Sequence, residues 1–434
     1  MSLTARDQAA IWHPYTQHKT AAIPIPIVSG KGAYLYDENG KRYLDLISSW
    51  MVNLHGHAHP EIAKAIYEQA LRLEHVIFSG FTHEPAVELA ERILAILPDG
   101  FSKVFYSDNG STSVEVALKM AHQYWRNLGD NNRKRIIAFE GAYHGDTVGG
   151  MSVGRGCQFY SQYERLLFEV DMLPYPLTWI GDENVIEKEN RVLKTIALHL
   201  EQYATETSSL IIEPLIQGSG GMRMCSPRFL VELEKLVRAH NILLIYDEVM
   251  TGFGRTGADF SCTKAGTAPD IICLAKGLSG GFLPLAITAC QEKIYEAFLG
   301  DTVASTLIHG HSFTGNPLGC AAGLASLTIL QAEATQQQIK MIEKVHHEEL
   351  TRVAATGVVE KARYCGTVAA FDYKIAGAYG SRESHILQNK FVAQGLLMRP
   401  LGNVFYFLPP YCITESELRN AYAVAIHEFE GVSA

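Results

Sequence analysis

Two short apolar runs that each end in charge constrain this chain most. Leu243, Leu244, Ile245 and Tyr246 run into Asp247 and Glu248, and Ile271 to Ala275 run into Lys276. Runs this short and this continuously apolar read as strands buried on both faces, the pattern of a parallel sheet. The separation of 29 residues between Asp247 and Lys276 leaves room for a crossover between the two strands. Parallel sheets receive their ligands beyond the carboxyl ends of the strands. Both ionisable groups are therefore expected at a ligand site.

The surrounding pattern supports an α/β chain. Residues 33–46, AYLYDENGKRYLDL, read as a hairpin turning at Asn39-Gly40. A helix is expected after His59-Pro60 with Ile62, Ala63, Ile66 and Ala70 on one face, and another over 85–97 with Leu89, Ala90, Ile93 and Leu97 inward. Strands over 103–106, 135–139 and 210–212 alternate with helices over 111–127 and from Ser226-Pro227, where Ser is the N-cap and Pro the first helical residue. Beyond residue 330 the alternation stops. A helix over 333–355 precedes strands near 367–373 and 404–408, and Thr414 with Glu417 forms a capping box for the last helix. The expected organisation is a large domain with a mostly parallel sheet over 53–330. A smaller α+β domain is built from both chain ends, 1–52 and 331–434.

The chain of 434 residues has a net charge of −9, which argues against a nucleic-acid footprint. Its N-terminus lacks a basic stretch followed by an apolar one, so no secretory signal is expected, and no apolar run is long enough to span a membrane. None of the eight cysteines forms a CxxC pair, and Cys273 and Cys290 sit in apolar runs, which fits reduced, packing cysteines in a cytoplasmic protein.

A lysine and a carboxylate at neighbouring strand ends suit pyridoxal 5′-phosphate (PLP), where the amine forms a Schiff base and an acid partners the pyridinium nitrogen. The buried setting lowers the pKa of a lysine and makes it nucleophilic. Asp247 alone would equally serve as a helix cap or ion-pair partner. Tyr106 to Thr112 link a strand to a helix, and Gly110 with Ser111 or Thr112 offers backbone and hydroxyl donors to an anion. The same stretch also reads as a polar turn with an N-cap. Tyr143, in GAYHGD, supplies a ring that can stack on a flat cofactor, or is simply a loop tyrosine beside a capping Asp146. His144 is left without a role.

The ordered blocks SDNGSTSVEVALKMA, GAYHGDT, IIEPLIQGSGG, YDEVMTGFGRTG, LAKGLSGG and HGHSFTGNPLGCAA resemble the class III aminotransferases, which are fold type I PLP enzymes. The likeness runs from about residue 15 to the C-terminus. It implies that Lys276 carries PLP, that Asp247 pairs with the pyridine nitrogen, and that Gly110 and Ser111 bind the phosphate. Tyr143 would cover one face of the ring. Ser312 would reach the phosphate of a partner subunit, which implies a homodimer with shared sites. Glu213, in the EP motif, would shape the substrate side.

Within the class, IWHPYTQ, SSW, GMRM at 221–224 and RPLGNVFYFLPPY from Arg399 are similar to the branch that aminates 8-amino-7-oxononanoate in biotin synthesis. That resemblance implies a pocket lined by Tyr15, Trp50 and Tyr143, with Asp146 positioning the substrate and Arg399 clamping its distal carboxylate. An aromatic slot with one terminal guanidinium matches a long apolar chain ending in a carboxylate. The Tyr15/Trp50 wall favours S-adenosylmethionine as donor, because an aromatic face attracts a sulfonium or an adenine ring. Lysine stays open as a donor. Met250 stands where many class III enzymes carry glutamine, Met51 where some of the branch resemble a second tryptophan, and His311 where a small or cyclic residue is sometimes found. The nearest alternative is another class III enzyme, of the ω-amino acid:pyruvate or ornithine type. A PLP aminomutase or decarboxylase and a non-catalytic PLP-fold protein are more distant.

Overall fold

The computed structural model describes residues 1–155, 160–373 and 382–430; Cys157 lies outside them. A seven-stranded sheet forms the centre. Its order is Phe101–Ser107, Ala286–Gln291, Ile271–Leu274, Leu243–Asp247, Thr207–Ile212, Arg135–Phe139, Asp171–Leu173. Only Ala286–Gln291 runs against the rest.

Burial of alternate residues explains the continuous apolar runs. Leu210, Ile212, Leu244, Tyr246, Ile272 and Leu274 join one core cluster, which includes Phe229, Leu230 and Leu233 of the helix Pro227–Ala239. Ile211, Ile245, Ile271 and Cys273 join the other, beneath Val114, Ala117, Leu118 and Ala121 of the helix Gly110–Asn127. Both faces of these strands are thus dry, and neither face tolerates a polar side chain without a partner.

The expected N-terminal hairpin is present between Tyr34–Asp37 and Arg42–Asp45. Its turn is wider than Asn39-Gly40 alone: Asp37 N donates to Lys41 O (3.0 Å), and Asp37 Oδ1 accepts the amides of Asn39 and Lys41, both at 2.9 Å. The helix Pro60–Ala70 departs from its expected face. Ile62 is buried and Ile66 partly so, but Ala63 and Ala70 are exposed, and Gln69 turns inward because its amide donates to Leu73 O. The helix Glu84–Leu94 buries Leu89 and Ile93 as expected and Ala86 besides; Ala90 is only partly buried, and Leu97 is buried just beyond the helix end.

Leu396–Leu397 pairs in parallel with Arg42–Asp45, so a strand from near the C-terminus completes the N-terminal sheet. An antiparallel sheet of Val359–Cys365, Val368–Tyr373 and Val404–Phe407 lies beside the helices Glu333–Ala355 and Glu415–Glu430. Thr414 and Glu417 form the expected capping box, Thr414 N to Glu417 Oε2 at 2.8 Å and Glu417 N to Thr414 Oγ1 at 3.3 Å. Among the described residues no helix is long and apolar enough to cross a membrane, and no cluster of three or more His, Cys, Asp or Glu could hold a metal ion.

Candidate active site

The strands Leu243–Asp247 and Ile271–Leu274 are adjacent and parallel, with Asp247 opposite Cys273. Asp247 and Lys276 therefore emerge at one edge of the sheet, and both line a cavity of about 690 Å³. Glu248, the next residue, faces the other way. Its buried carboxylate accepts the amides of Ser261 and Cys262 and the Thr251 hydroxyl, and so fixes the loop that follows.

Asp247 is held on two sides. Oδ2 meets Nδ1 of His144 at 2.7 Å, and Oδ1 accepts the Val249 amide at 3.0 Å. Burial alone would lower the pKa of His144; the Asp247 hydrogen bond and charge outweigh it and raise the pKa. The imidazole so placed fixes the direction in which the carboxylate points. Lys276 sits at φ +42, with Nζ 3.9 Å from Met51 Sδ. Desolvation lowers its pKa, against the pull of Asp247 and Glu213 and with the help of buried Arg255. Arg255 spends two of its donors on Pro409 O and Asn53 O, which ties the sheet edge to both chain ends.

The residues fit PLP. Gly110 and Ser111 open the helix Gly110–Asn127 at its electropositive end and border the cavity. A Cβ at Gly110 would lie 2.6 Å from Val249 Cγ1, and one at Gly145 would collide with Ser111 Oγ, so both glycines permit a tight cradle. Ser111 Oγ bonds Thr147 Oγ1 at 2.8 Å. The hydroxyl of Thr112 is engaged in the helix cap: it donates to Asn109 O and accepts the Asn109 amide, completing a capping box. A cavity with an anion cradle at one end, a buried amine in the middle and a braced carboxylate matches a phosphorylated pyridine aldehyde.

Tyr143 also lines the cavity, and its amide donates to Glu213 Oε2 at 3.0 Å, while Glu213 Oε1 accepts Gly218 N at 2.9 Å. Glu213 is fully enclosed, and desolvation pushes its pKa up to about 7. Met250 lines the cavity too, with Sδ against the backbone of Gly218.

The remaining expected residues form a line leading away from the cavity. Tyr15 donates to Asp146 at 2.7 and 2.6 Å, Trp50 meets the Tyr15 ring edge-on at 5.8 Å, and the Arg399 guanidinium lies 4.4 Å from the centre of the Trp50 ring. Trp50 belongs to a left-handed turn: Ser48, Ser49, Trp50 and Met51 have φ of 50, 45, 73 and 71°. Met51 N donates to Ile47 O at 2.8 Å and Val52 N to Ser48 O at 2.9 Å, so this is one helical turn of inverted hand. It sends Met51 into the protein (4% exposed) and Trp50 outward (42%). Ser312 is exposed and stands apart from this group. His311 contacts Asp108 at 2.9 Å and His309 at 3.0 Å, so the departure at that position is engaged in a polar chain.

Sequence alone missed His144, Glu248 and Arg255. His144 carries the one usable signal, its place in the same loop as Tyr143 and Asp146; nothing local marks the depth at which it meets Asp247.

The chain matches the aminotransferase class-III family over residues 15–427. It is 52% identical to the adenosylmethionine-8-amino-7-oxononanoate aminotransferase of Synechococcus elongatus, over 95% of this chain and 96% of that protein. It is 40% identical to the protein of the same name in Geobacter sulfurreducens, over 95% and 94%. The crystal structure of adenosylmethionine-8-amino-7-oxononanoate aminotransferase from Methanocaldococcus jannaschii superposes with a TM-score of 0.90 at 35% identity, covering 99% of this chain and 98% of that one. The ω-transaminase of Pseudomonas jessenii in complex with PMP gives 0.90 at 25% identity, covering 99% and 98%. With this fold, this site and these relatives, the chain belongs to the class III aminotransferases and has their fold type I architecture.

Proposed function

We propose that this chain transfers an amino group to 8-amino-7-oxononanoate, forming 7,8-diaminononanoate for biotin synthesis, with S-adenosylmethionine as donor. The relatives of that name, alike over nearly their whole length, support the substrate. The single observation that carries the chemistry is the meeting at one cavity of Asp247, at the end of its strand, and Lys276, two residues past the end of the adjacent parallel strand.

The cofactor is PLP, which supplies an electron sink and carries the amino group between donor and acceptor. Gly110 and Ser111 bind the phosphate. Asp247, braced by His144, holds a proton on the pyridine nitrogen. Tyr143 covers one face of the ring, backed through its amide by Glu213. Lys276 would hold the cofactor's aldehyde end, and its desolvated Nζ would be the group placed to take up and return a proton at the substrate as general base and acid. Trp50 and Tyr15 line the entry, Arg399 binds the distal carboxylate of the acceptor, and Asp146 faces the ammonium beside the reacting ketone.

The pairing of Leu396 with Leu44 supports a small domain of 1–52 with 331–434 around a large domain of 53–330. A cytoplasmic homodimer, with Ser312 reaching the partner's phosphate, completes the proposal; the exposure of Ser312 fits that role. The structural likeness to ω-transaminases keeps that activity as the second reading. The deciding experiment incubates the protein with 8-amino-7-oxononanoate and, separately, S-adenosylmethionine or lysine, and looks for 7,8-diaminononanoate by mass spectrometry. Absence of the diamine with either donor overturns the assignment.

A further inference from the structure

Tyr160 has no part in the site as inferred from sequence, yet it is 3% exposed and its hydroxyl enters the corner that presents Asp146. That hydroxyl donates to Gly145 O at 3.0 Å and lies 3.3 Å from Asp146 Oδ1. Its ring stacks on Tyr143, 6.3 Å between centres and 20° between planes. Gly145 is at φ +102, so the corner is a tight left-handed bend with no room for a side chain.

Asp146 is thus gripped by phenols from separate segments. Tyr15 binds it from the rim, where Tyr15 is 42% exposed. Tyr143 reaches Oδ2 at 3.0 Å from the cavity wall. Tyr160 reaches both Gly145 O and the Asp146 carboxylate, sharing its one hydroxyl proton between them, and does so from the buried side. Bonds on the water-exposed side exchange readily with solvent; a buried phenol holding backbone and carboxylate together fixes the direction in which the carboxylate points before substrate arrives.

We propose that Tyr160 is a positioning residue for substrate recognition, aiming Asp146 at the ammonium that lies next to the reacting ketone of the acceptor. This rests on the proposed role of Asp146, and the test separates the two. Tyr160→Phe keeps the ring stack and removes the hydroxyl. Its KM for 8-amino-7-oxononanoate should rise about fivefold with kcat within about twofold, the effect of one ordinary hydrogen bond, because the single phenol proton is shared between Gly145 O and Asp146. With 7-oxononanoate, which lacks the amine, KM should not change. The dissociation constant of each acceptor, measured by calorimetry on the pyridoxamine form, should move in parallel. Equal losses on the two acceptors, or no loss on either, overturn the role of Tyr160. Asp146→Asn is the control: it should discriminate between the acceptors more strongly than Tyr160→Phe. If it does not discriminate, the role of Asp146 falls and that of Tyr160 with it. If it does while Tyr160→Phe does not, Tyr160 alone is misassigned.

Discussion

Asp247 ends one strand of the seven-stranded sheet and Lys276 follows the neighbouring strand by two residues, whereas Tyr15, Trp50 and Arg399 come from segments near the chain ends. Trp50 and Arg399 follow two short strands of the smaller N-terminal sheet, and Tyr15 joins them through its side chain. The first pair is fixed by backbone pairing and two dry core clusters. The second group depends on an exposed tyrosine, an inverted turn and a cation over a ring. The difference separates chemistry from selection: reacting groups need sub-ångström placement on rigid elements, while a rim that admits two unlike substrates in turn tolerates more freedom.

Four outcomes would break or sharpen that division. Replacing Lys276 with alanine should lower turnover by about 1,000-fold or more and abolish a borohydride-reducible chromophore on the protein. A variant that keeps both would remove the lysine from the chemical half. Arg399→Ala belongs to the other half, and should raise KM for the long keto acid by about 10- to 100-fold while leaving short keto acids untouched. Equal loss on short and long substrates would make Arg399 structural.

Glu213 lies on the boundary and reports through pH. Its carboxyl, pushed up from 4.5 to about 7 by burial, holds an extra proton in the folded state between those values. Its contribution to stability therefore declines as pH rises through that window and levels off above it. In cofactor-free Glu213→Gln the thermal midpoint should fall less steeply between pH 4.5 and 7 than in the parent. Superimposable profiles would mean that Glu213 ionises as an ordinary carboxylate. The smallest effect is expected at Ser49, whose hydroxyl donates to Asp45 Oδ2 at 2.8 Å. Ser49→Ala should cost about 1 kcal/mol, seen as a drop of about one degree in the thermal midpoint.

The same division governs what the sequence made legible. Alternating burial converts directly into the apolar runs before Asp247 and Lys276, so the chemical half could be read from a single line of residues. The loop proposed to bind phosphate was legible as a loop, but the share taken by Thr112 in the helix cap was not, because a hydroxyl at that position serves an anion or a cap equally well. His144 and Arg255 were opaque because their meaning lies in contacts more than a hundred residues away along the chain. Ala63 and Ala70 were misjudged because a single methyl group buries too little apolar area to dictate which face of a helix turns inward. The hand of the turn at 48–51 had no signal at all, since serine, tryptophan and methionine rarely adopt it.

That inverted turn has a consequence for anyone wishing to alter what the enzyme accepts. Each non-glycine residue in it is disfavoured by roughly 1–2 kcal/mol relative to a right-handed one. The tethers that oppose this are buried: Asp45 receives Ser49 Oγ and the Ile47 amide, and Ser48 Oγ donates to Leu408 O. Repertoire at the entrance is therefore governed from beneath. Exchanging Trp50 or Met51 redecorates a shape, but removing these tethers together would let the segment recoil to the ordinary hand and swing both side chains at once, remodelling the proposed entrance from residues that lie behind it.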